Sequence, residues 1–113
     1  MTAVVLVDAC NVLRSQWPNL PEHELVELCR AWAAARGLRV LMVFDGNAPE
    51  EAADVVGSGS ESADDRLIRE AARLRNAGER FWLVTSDRAL RAVAGKEAKR
   101  VVGGGSFLRE LQQ

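Results

Sequence analysis

The chain has 113 residues, of which 48% are apolar, and its formal net charge is −1. A chain of this length can bury one hydrophobic core, so we expect a single domain over residues 1–113. No apolar stretch approaches the roughly 20 residues of a membrane-spanning helix, and the N-terminus lacks the pattern of a signal peptide. These features argue against a membrane protein and predict a soluble domain in the cytoplasm, with no membrane partner.

Two features of the composition bear on metals and phosphates. Cys10 and Cys29 have no Cys or His companion at zinc-site spacing, so zinc is not expected. Between Val40 and Asp65 the chain has seven carboxylates and no Lys or Arg, whereas eleven of its fifteen basic residues lie from Arg66 onward. This distribution is typical of an acidic pocket that attracts cations, next to a surface that can meet phosphates.

The first predicted element is a strand that ends in an acid. Residues 4–7 form an unbroken apolar run, which is typical of a strand buried on both faces of a parallel sheet, and Asp8 and Asn11 follow it. Asp8 alone is open to two interpretations, a ligand-binding acid at the sheet edge or a residue that only starts a turn. A polar turn over residues 14–19 leads to a helix over residues 21–37, with Pro in its first turn and Gly at its end.

The same design recurs in the second strand, over residues 39–44, which is followed by Asp45. Residues 53–56 are predicted to form a short edge strand, and residues 57–60, with the sequence Gly-Ser-Gly-Ser, a mobile loop beside the site. A long helix then begins at Ser62, which forms a capping box with Asp65.

Asp64 lies one turn before the apolar stripe of this helix, so we expect it to point toward the sheet. A carboxylate aimed at the core is costly unless it meets a cation or several donors, which makes Asp64 a better functional candidate than Asp65.

A third strand that ends in an acid completes the pattern. Residues 81–84 form an apolar run that leads to Asp87, and Asp87 can also cap a helix over residues 88–94. A final strand at residues 101–102 precedes a last helix over residues 107–111, with Ser106 as its N-cap. Strands that alternate with helices predict an α/β protein with a parallel sheet and right-handed crossovers.

The acids are expected to meet, because the carboxyl ends of parallel strands lie along one edge of the sheet. That edge receives Asp8, Asp45 and Asp87, and the helix that begins at residue 62 brings Asp64 to it. Four carboxylates would repel one another unless a hard divalent cation lies among them. Since the acids offer only oxygen ligands, Mg²⁺ or Mn²⁺ is the predicted cofactor. Such a metal typically activates water for the hydrolysis of a phosphate ester. The expected donors to ligands, water or phosphate are Asn11, Thr85, Ser86 and Ser106.

Six motifs in this order resemble the YacP-like branch of the NYN domains, which belong to the PIN-like nucleases: LVDACN, RSQWPNL, VFDG, ESADD, LVTSD and GGGSFLREL. The resemblance implies a three-layer α/β/α sandwich with a central parallel sheet of strand order 3-2-1-4-5. It also implies a metal-dependent endoribonuclease acting on single-stranded or structured RNA. The positions that match the family's acids, the amide after the first acid and the hydroxyl before the third acid are Asp8, Asp45, Asp64, Asp87, Asn11 and Ser86.

On this interpretation the partner is RNA, and a ribonucleoprotein or a second copy of the chain are further candidate partners. The arginines expected to bind the RNA backbone are Arg66, Arg69, Arg88 and Arg91.

Three other functions compete with this interpretation. The first is a catalytically silent PIN-like module that binds RNA or protein, although such a module gains nothing from four mutually repelling acids. A receiver-like phosphoacceptor domain needs paired acids after its first strand and a Lys after its last, and neither is present. A haloacid-dehalogenase-type phosphatase needs a second Asp two residues after Asp8, a position that Cys10 occupies.

Overall fold

The structure, a computed structural model, describes residues 2–113. It contains the strands β1 (Val4–Asp8), β2 (Arg39–Phe44), β3 (Val55–Gly57), β4 (Phe81–Val84) and β5 (Arg100–Val102). The helices are α1 (Ala9–Arg14), α2 (Glu22–Arg36), α3 (Ala63–Asn76), α4 (Arg88–Ala94) and α5 (Gly104–Leu111). All neighbouring strands pair in parallel, and the sheet has the order β3-β2-β1-β4-β5.

Helices cover both faces of the sheet, which confirms the predicted α/β/α sandwich. Successive side chains of β1 point to opposite faces because a strand has a period of two. Val5 and Val7 join a core with residues of α1, α2 and α5, whereas Val4 and Leu6 join a second core with residues of α3 and α4. All five residues of β1 are buried, so the strand runs through the middle of the molecule and delivers Asp8 to the centre of one edge.

The boundaries of the two long helices follow the predicted signals. Gly37 ends α2 in the left-handed conformation, with φ of 64°, and Cys29 and Trp32 of this helix lie in the core. Ser62 is the N-cap of α3, where its hydroxyl accepts the N–H of Asp65 at 3.0 Å. Within residues 2–113 no helix combines the length and the apolar character needed to cross a membrane.

The segment after β2 differs from the prediction. The edge strand lies at Val55–Gly57 rather than at residues 53–56, so Gly57 belongs to the sheet. The N–H of Ser58 donates to the carbonyl of Phe44, and the Ser58 hydroxyl accepts the N–H of Gly46, both at 2.9 Å. The predicted loop is therefore shorter at its start, because Gly57 belongs to β3, and Ser58, which is 6% exposed, ties the turn to the end of β2.

Three further elements depart from the sequence prediction. The turn after β1 is preceded by the six-residue helix α1, which was not predicted. The last helix begins at Gly104 with Gly103 as N-cap, so Ser106 lies inside its first turn and does not cap it. On α4, the register of Ala89, Leu90 and Val93 predicts an apolar face, but Leu90 and Ala94 are the buried residues and Val93 is 51% exposed.

Candidate active site

A pocket of about 260 Å³ opens at the carboxyl edge of the sheet. The structure brings the four acids expected at this edge to its walls, and these are Asp8, Asp45, Asp64 and Asp87. The other residues that line it are Cys10, Asn11, Arg14, Ser62 and Ala63. Arg14 is the single cationic side chain among these lining residues, so the walls have a strong excess of negative charge.

Asp8 is the most enclosed of the four acids. It is 5% exposed, and its Oδ2 accepts the hydroxyl of Thr85, a fully buried residue, at 2.9 Å. Burial raises the pKa of Asp8, because a carboxylate loses water there, and the charge of Asp64 raises it further. The Thr85 hydrogen bond opposes this rise. Asp8 is thus a fixed carboxylate whose charge the protein only partly compensates.

Asp64 lies on the rim of the pocket. The sequence predicted that it points toward the core, but Ala63 takes the buried position at the start of α3 and Asp64 is exposed to solvent. Its pKa is nevertheless raised, first by partial burial at the pocket wall and then by the charge of Asp87. Asp65 and Asp45 raise it further. Asp64 thus lies within reach of the charges of the other pocket acids.

Asp45 and Asp87 are oriented by the helices beside them. The N–H of Ala63, at the start of α3, donates to Asp45 Oδ1 at 3.0 Å. The N–H of Leu90 in α4 likewise donates to Asp87 Oδ1 at 3.0 Å. A helix N-terminus favours a negative charge, so both carboxylates are held in place with one oxygen bonded to backbone.

A chain of hydrogen bonds links α1, the loop before α4 and the start of α5. Asn11 Oδ1 accepts the N–H of Ser86 at 2.9 Å, and Ser86 Oγ accepts the N–H of Gly104 at 2.8 Å. A Cβ at Gly104 would lie 2.5 Å from Asn11 Oδ1, so only glycine fits there without a shift. The predicted site residues Asn11 and Ser86 thus position the loop that carries Asp87. The sequence analysis missed Gly104, for which the glycine triplet was the available signal.

Two of the predicted RNA-binding arginines are engaged elsewhere. Arg66 pairs with Glu70 at 3.1 Å, and Arg69 pairs with Glu61. Glu70 is 7% exposed and also pairs with Arg73 at 2.9 Å. The sequence did not indicate this buried acid. These two arginines neutralise Glu70, and their hydrogen bonds hold its pKa below the usual value against the effect of burial.

The other predicted substrate residues lie toward α4 and α5. Arg88 is exposed and, within residues 2–113, makes no ion pair with a carboxylate. Arg91 Nε donates to the carbonyl of Thr85 at 2.8 Å and so supports the end of β4. Ser106 is exposed, accepts a hydrogen bond from Arg109 at 3.2 Å and does not line the pocket.

The donor set suits a hard cation, although its atoms are spread apart. In the part of the chain that the structure describes, no three His, Cys, Asp or Glu side chains are gathered closely enough to form a metal-binding group. The pocket is nevertheless lined by four carboxylates and no histidine. Oxygen ligands of this kind suit Mg²⁺ or Mn²⁺, which often complete their shells with water and substrate oxygens.

Fold and pocket together define an α/β protein with a carboxylate-lined site at the carboxyl edge of its parallel sheet. No protein-family model and no curated protein matches the chain. Two solved structures of Rae1 (YacP) from Bacillus subtilis do resemble it. The tryptophan-to-leucine mutant is 26% identical, with a TM-score of 0.77 over 98% of this chain and 76% of that one. The other structure is 23% identical, with a TM-score of 0.73 over 98% and 74%. The chain thus has a YacP-like fold.

Proposed function

We propose that this protein is a metal-dependent endoribonuclease of the PIN-like NYN type that hydrolyses RNA phosphodiester bonds at the acidic pocket. One observation carries the proposal: Asp8 is a buried carboxylate that shares a pocket with three other acids and a single cation, Arg14. Such an arrangement is costly for the protein alone and becomes favourable when a divalent cation is present. The sequence motifs and the YacP-like fold support RNA as the substrate.

The four acids would hold the metal, with Asp8 at the centre and Asp45 in a supporting position. When bound, Mg²⁺ or Mn²⁺ would activate a water molecule and neutralise charge on the scissile phosphate. Thr85 keeps Asp8 in one orientation, because the side chain of Thr85 is buried and its hydroxyl is bonded to the carboxylate. Arg14 is the lining side chain suited to meet a phosphate oxygen of the substrate.

Cleavage assays test the proposal directly. Asp8→Asn and Asp87→Asn should abolish manganese-dependent cleavage of a labelled single-stranded RNA, and excess chelator should abolish it in the wild type. Asp65→Asn is the matched control for Asp64→Asn, because Asp65 is the neighbouring acid on α3 and does not line the pocket. Asp64→Asn should lose activity, whereas Asp65→Asn should retain it. Wild-type rates in Asp8→Asn and Asp87→Asn would refute the assignment.

RNA binding should depend on the α4 side of the pocket. Arg88 has no carboxylate partner within residues 2–113, whereas Arg69 is paired with Glu61. Arg88→Gln should therefore weaken RNA binding and lower the slope of log affinity against log salt by about 1. Arg69→Gln, the matched control, should leave the slope nearly unchanged. Equal slopes for both variants and the wild type would remove α4 from the interface.

A silent RNA- or protein-binding module is the second candidate. The wide spacing of the acids favours it, because the described residues contain no close group of three potential metal ligands. The cleavage assay separates the two functions. A wild-type protein that binds RNA and leaves it intact at saturating Mn²⁺ would support the module.

A further inference from the structure

Trp17 is the most exposed large apolar side chain in the part of the chain that the structure describes. It is 88% exposed, against 51% for Val93 and 40% for Val101. The other two tryptophans behave differently, because Trp32 is buried and Trp82 packs against the same core, with their rings in edge contact at 5.7 Å. Trp17 therefore leaves almost its whole indole surface available to a ligand.

The loop that carries Trp17 is held in place. The N–H and the hydroxyl of Ser15 donate to the carbonyl of Val12. The amide nitrogen of Asn19, in the orientation that satisfies its hydrogen bonds, donates to two preceding backbone carbonyls at 3.0 and 2.8 Å. Leu20 then packs against the core. Since both ends of the loop are fixed, Trp17 projects from an ordered support.

The loop lies between the acidic pocket and the first turn of α5. It continues directly from Arg14, which lines the pocket. On its other side, the Ser15 Cβ lies 3.8 Å and the Arg109 guanidinium 3.6 Å from the position of a Cβ at Gly105. Within residues 2–113 neither Arg14 nor Arg109 forms an ion pair. The exposed ring of Trp17 thus follows the pocket residue Arg14 by three positions, on a loop whose Ser15 lies close to the first turn of α5 and Arg109.

We propose that Trp17 is a positioning residue on which an unpaired nucleobase of the RNA stacks, next to the nucleotide held in the acidic pocket. Arg14 and Arg109 bind the backbone phosphates on either side of that base. A tryptophan face accepts any base, whereas a base inside a duplex is not free to stack on it. The contact therefore selects single-stranded segments without reading their sequence. This inference rests on the proposed function and specifies how its substrate is held.

Binding measurements with a fluorescein-labelled oligouridine octamer, in chelator so that no cleavage occurs, test the inference. The comparison ligand is an octamer of the same sugar-phosphate backbone without bases. Trp17→Ala should weaken binding of the oligouridine by about tenfold and leave binding of the abasic octamer unchanged. Trp17→Phe should recover part of the loss. Val93→Ala, the matched control for an exposed apolar side chain, should bind both octamers like the wild type.

Tryptophan fluorescence provides a second readout. Oligouridine should quench the emission of the wild type, and this quenching should disappear in Trp17→Phe because Trp32 and Trp82 lie in or against the core. Equal affinity of the wild type and Trp17→Ala for oligouridine would overturn the inference, while metal-dependent cleavage by both would leave the proposed function standing. A loss of equal size on the abasic octamer would also overturn it, because the effect would not involve a base. A wild type that neither binds nor cleaves RNA would overturn both proposals.

Discussion

Replacing Asp8 with asparagine removes one negative charge from the pocket while it keeps the shape of the side chain. The amide oxygen of asparagine can accept the Thr85 hydroxyl that Asp8 Oδ2 accepts at 2.9 Å, so the buried hydrogen bond is preserved. Burial and the charge of Asp64 raise the pKa of Asp8 in the folded protein. Ionised Asp8 therefore destabilises the fold relative to the unfolded chain, and the variant should be more stable at neutral pH without metal.

The size of this gain follows from linkage between protonation and folding. Each unit by which folding raises the pKa of Asp8 costs the ionised wild type about 1.4 kcal/mol, so Asp8→Asn should unfold at a higher urea concentration than the wild type at pH 7.5. Because the folded-state pKa lies above that of the unfolded chain, the destabilisation grows as the pH rises through the folded-state pKa. The difference between wild type and Asp8→Asn should therefore shrink as the pH falls toward about 4.

Urea unfolding in chelator at several pH values measures this difference. Asp54→Asn is a control with the opposite sign, since the hydrogen bond from Arg30 holds the pKa of Asp54 below its usual value. That variant should be less stable than the wild type at neutral pH. Two results would contradict a raised pKa of Asp8 in the folded protein. One is an Asp8→Asn variant that is less stable than the wild type at pH 7.5, and the other is a difference in stability that does not change with pH.

Three further variants test other contacts in the structure, two of them beside the site. Thr85→Val should reduce cleavage and cost about 1–3 kcal/mol of unfolding free energy, because it leaves the buried Asp8 without its hydroxyl donor; equal activity in wild type and variant would contradict this. Gly104→Ala should lower both activity and stability, because the new Cβ would lie 2.5 Å from Asn11 Oδ1. Gly105→Ala is the control. The nearest neighbour of its new Cβ lies at 3.6 Å, so it should have a smaller effect in the same assays. Glu70→Gln should lower the free energy of unfolding in urea by about 1–2 kcal/mol, because it breaks the ion pairs with Arg66 and Arg73. The loss should diminish at acid pH, where Glu70 itself is protonated. A variant as stable as the wild type at pH 7.5 would show that these pairs contribute nothing.

The strands and the convergence of the acids were predictable because both follow from local patterns and sheet geometry. An unbroken apolar run such as Val4–Val7 is typical of a strand buried on both faces, and parallel pairing then takes Asp8, Asp45 and Asp87 to one edge. The helix caps are also local, as the Ser62 hydroxyl bond shows. Such contacts between residues three or four positions apart were visible in the sequence for α3, whereas the cap predicted at Ser106 is replaced by Gly103.

The remaining features depend on contacts between distant segments. The bond from the Ser86 N–H to Asn11 spans 75 residues, and no local pattern indicates it. Whether Asp64 is buried or exposed depends on the rotation of α3 about its own axis against the sheet. The stripe of apolar residues defines this rotation only approximately. Glu70 was missed because a glutamate near arginines on a helix usually lies on the solvated face, and only the packing shows that it is buried.

Calorimetric titration of Mn²⁺ into the wild type and into Asp8→Asn, at pH 7.5 and without RNA, tests the central claim most directly. The wild type should bind Mn²⁺ saturably, and Asp8→Asn should bind it at least about tenfold more weakly, since the loss of an outer-shell partner alone costs that much. Asp54→Asn, whose carboxylate pairs with Arg30 outside the pocket, should bind like the wild type. Equal Mn²⁺ affinity in wild type and Asp8→Asn, or no saturable binding at all, would contradict a metal centre at this pocket.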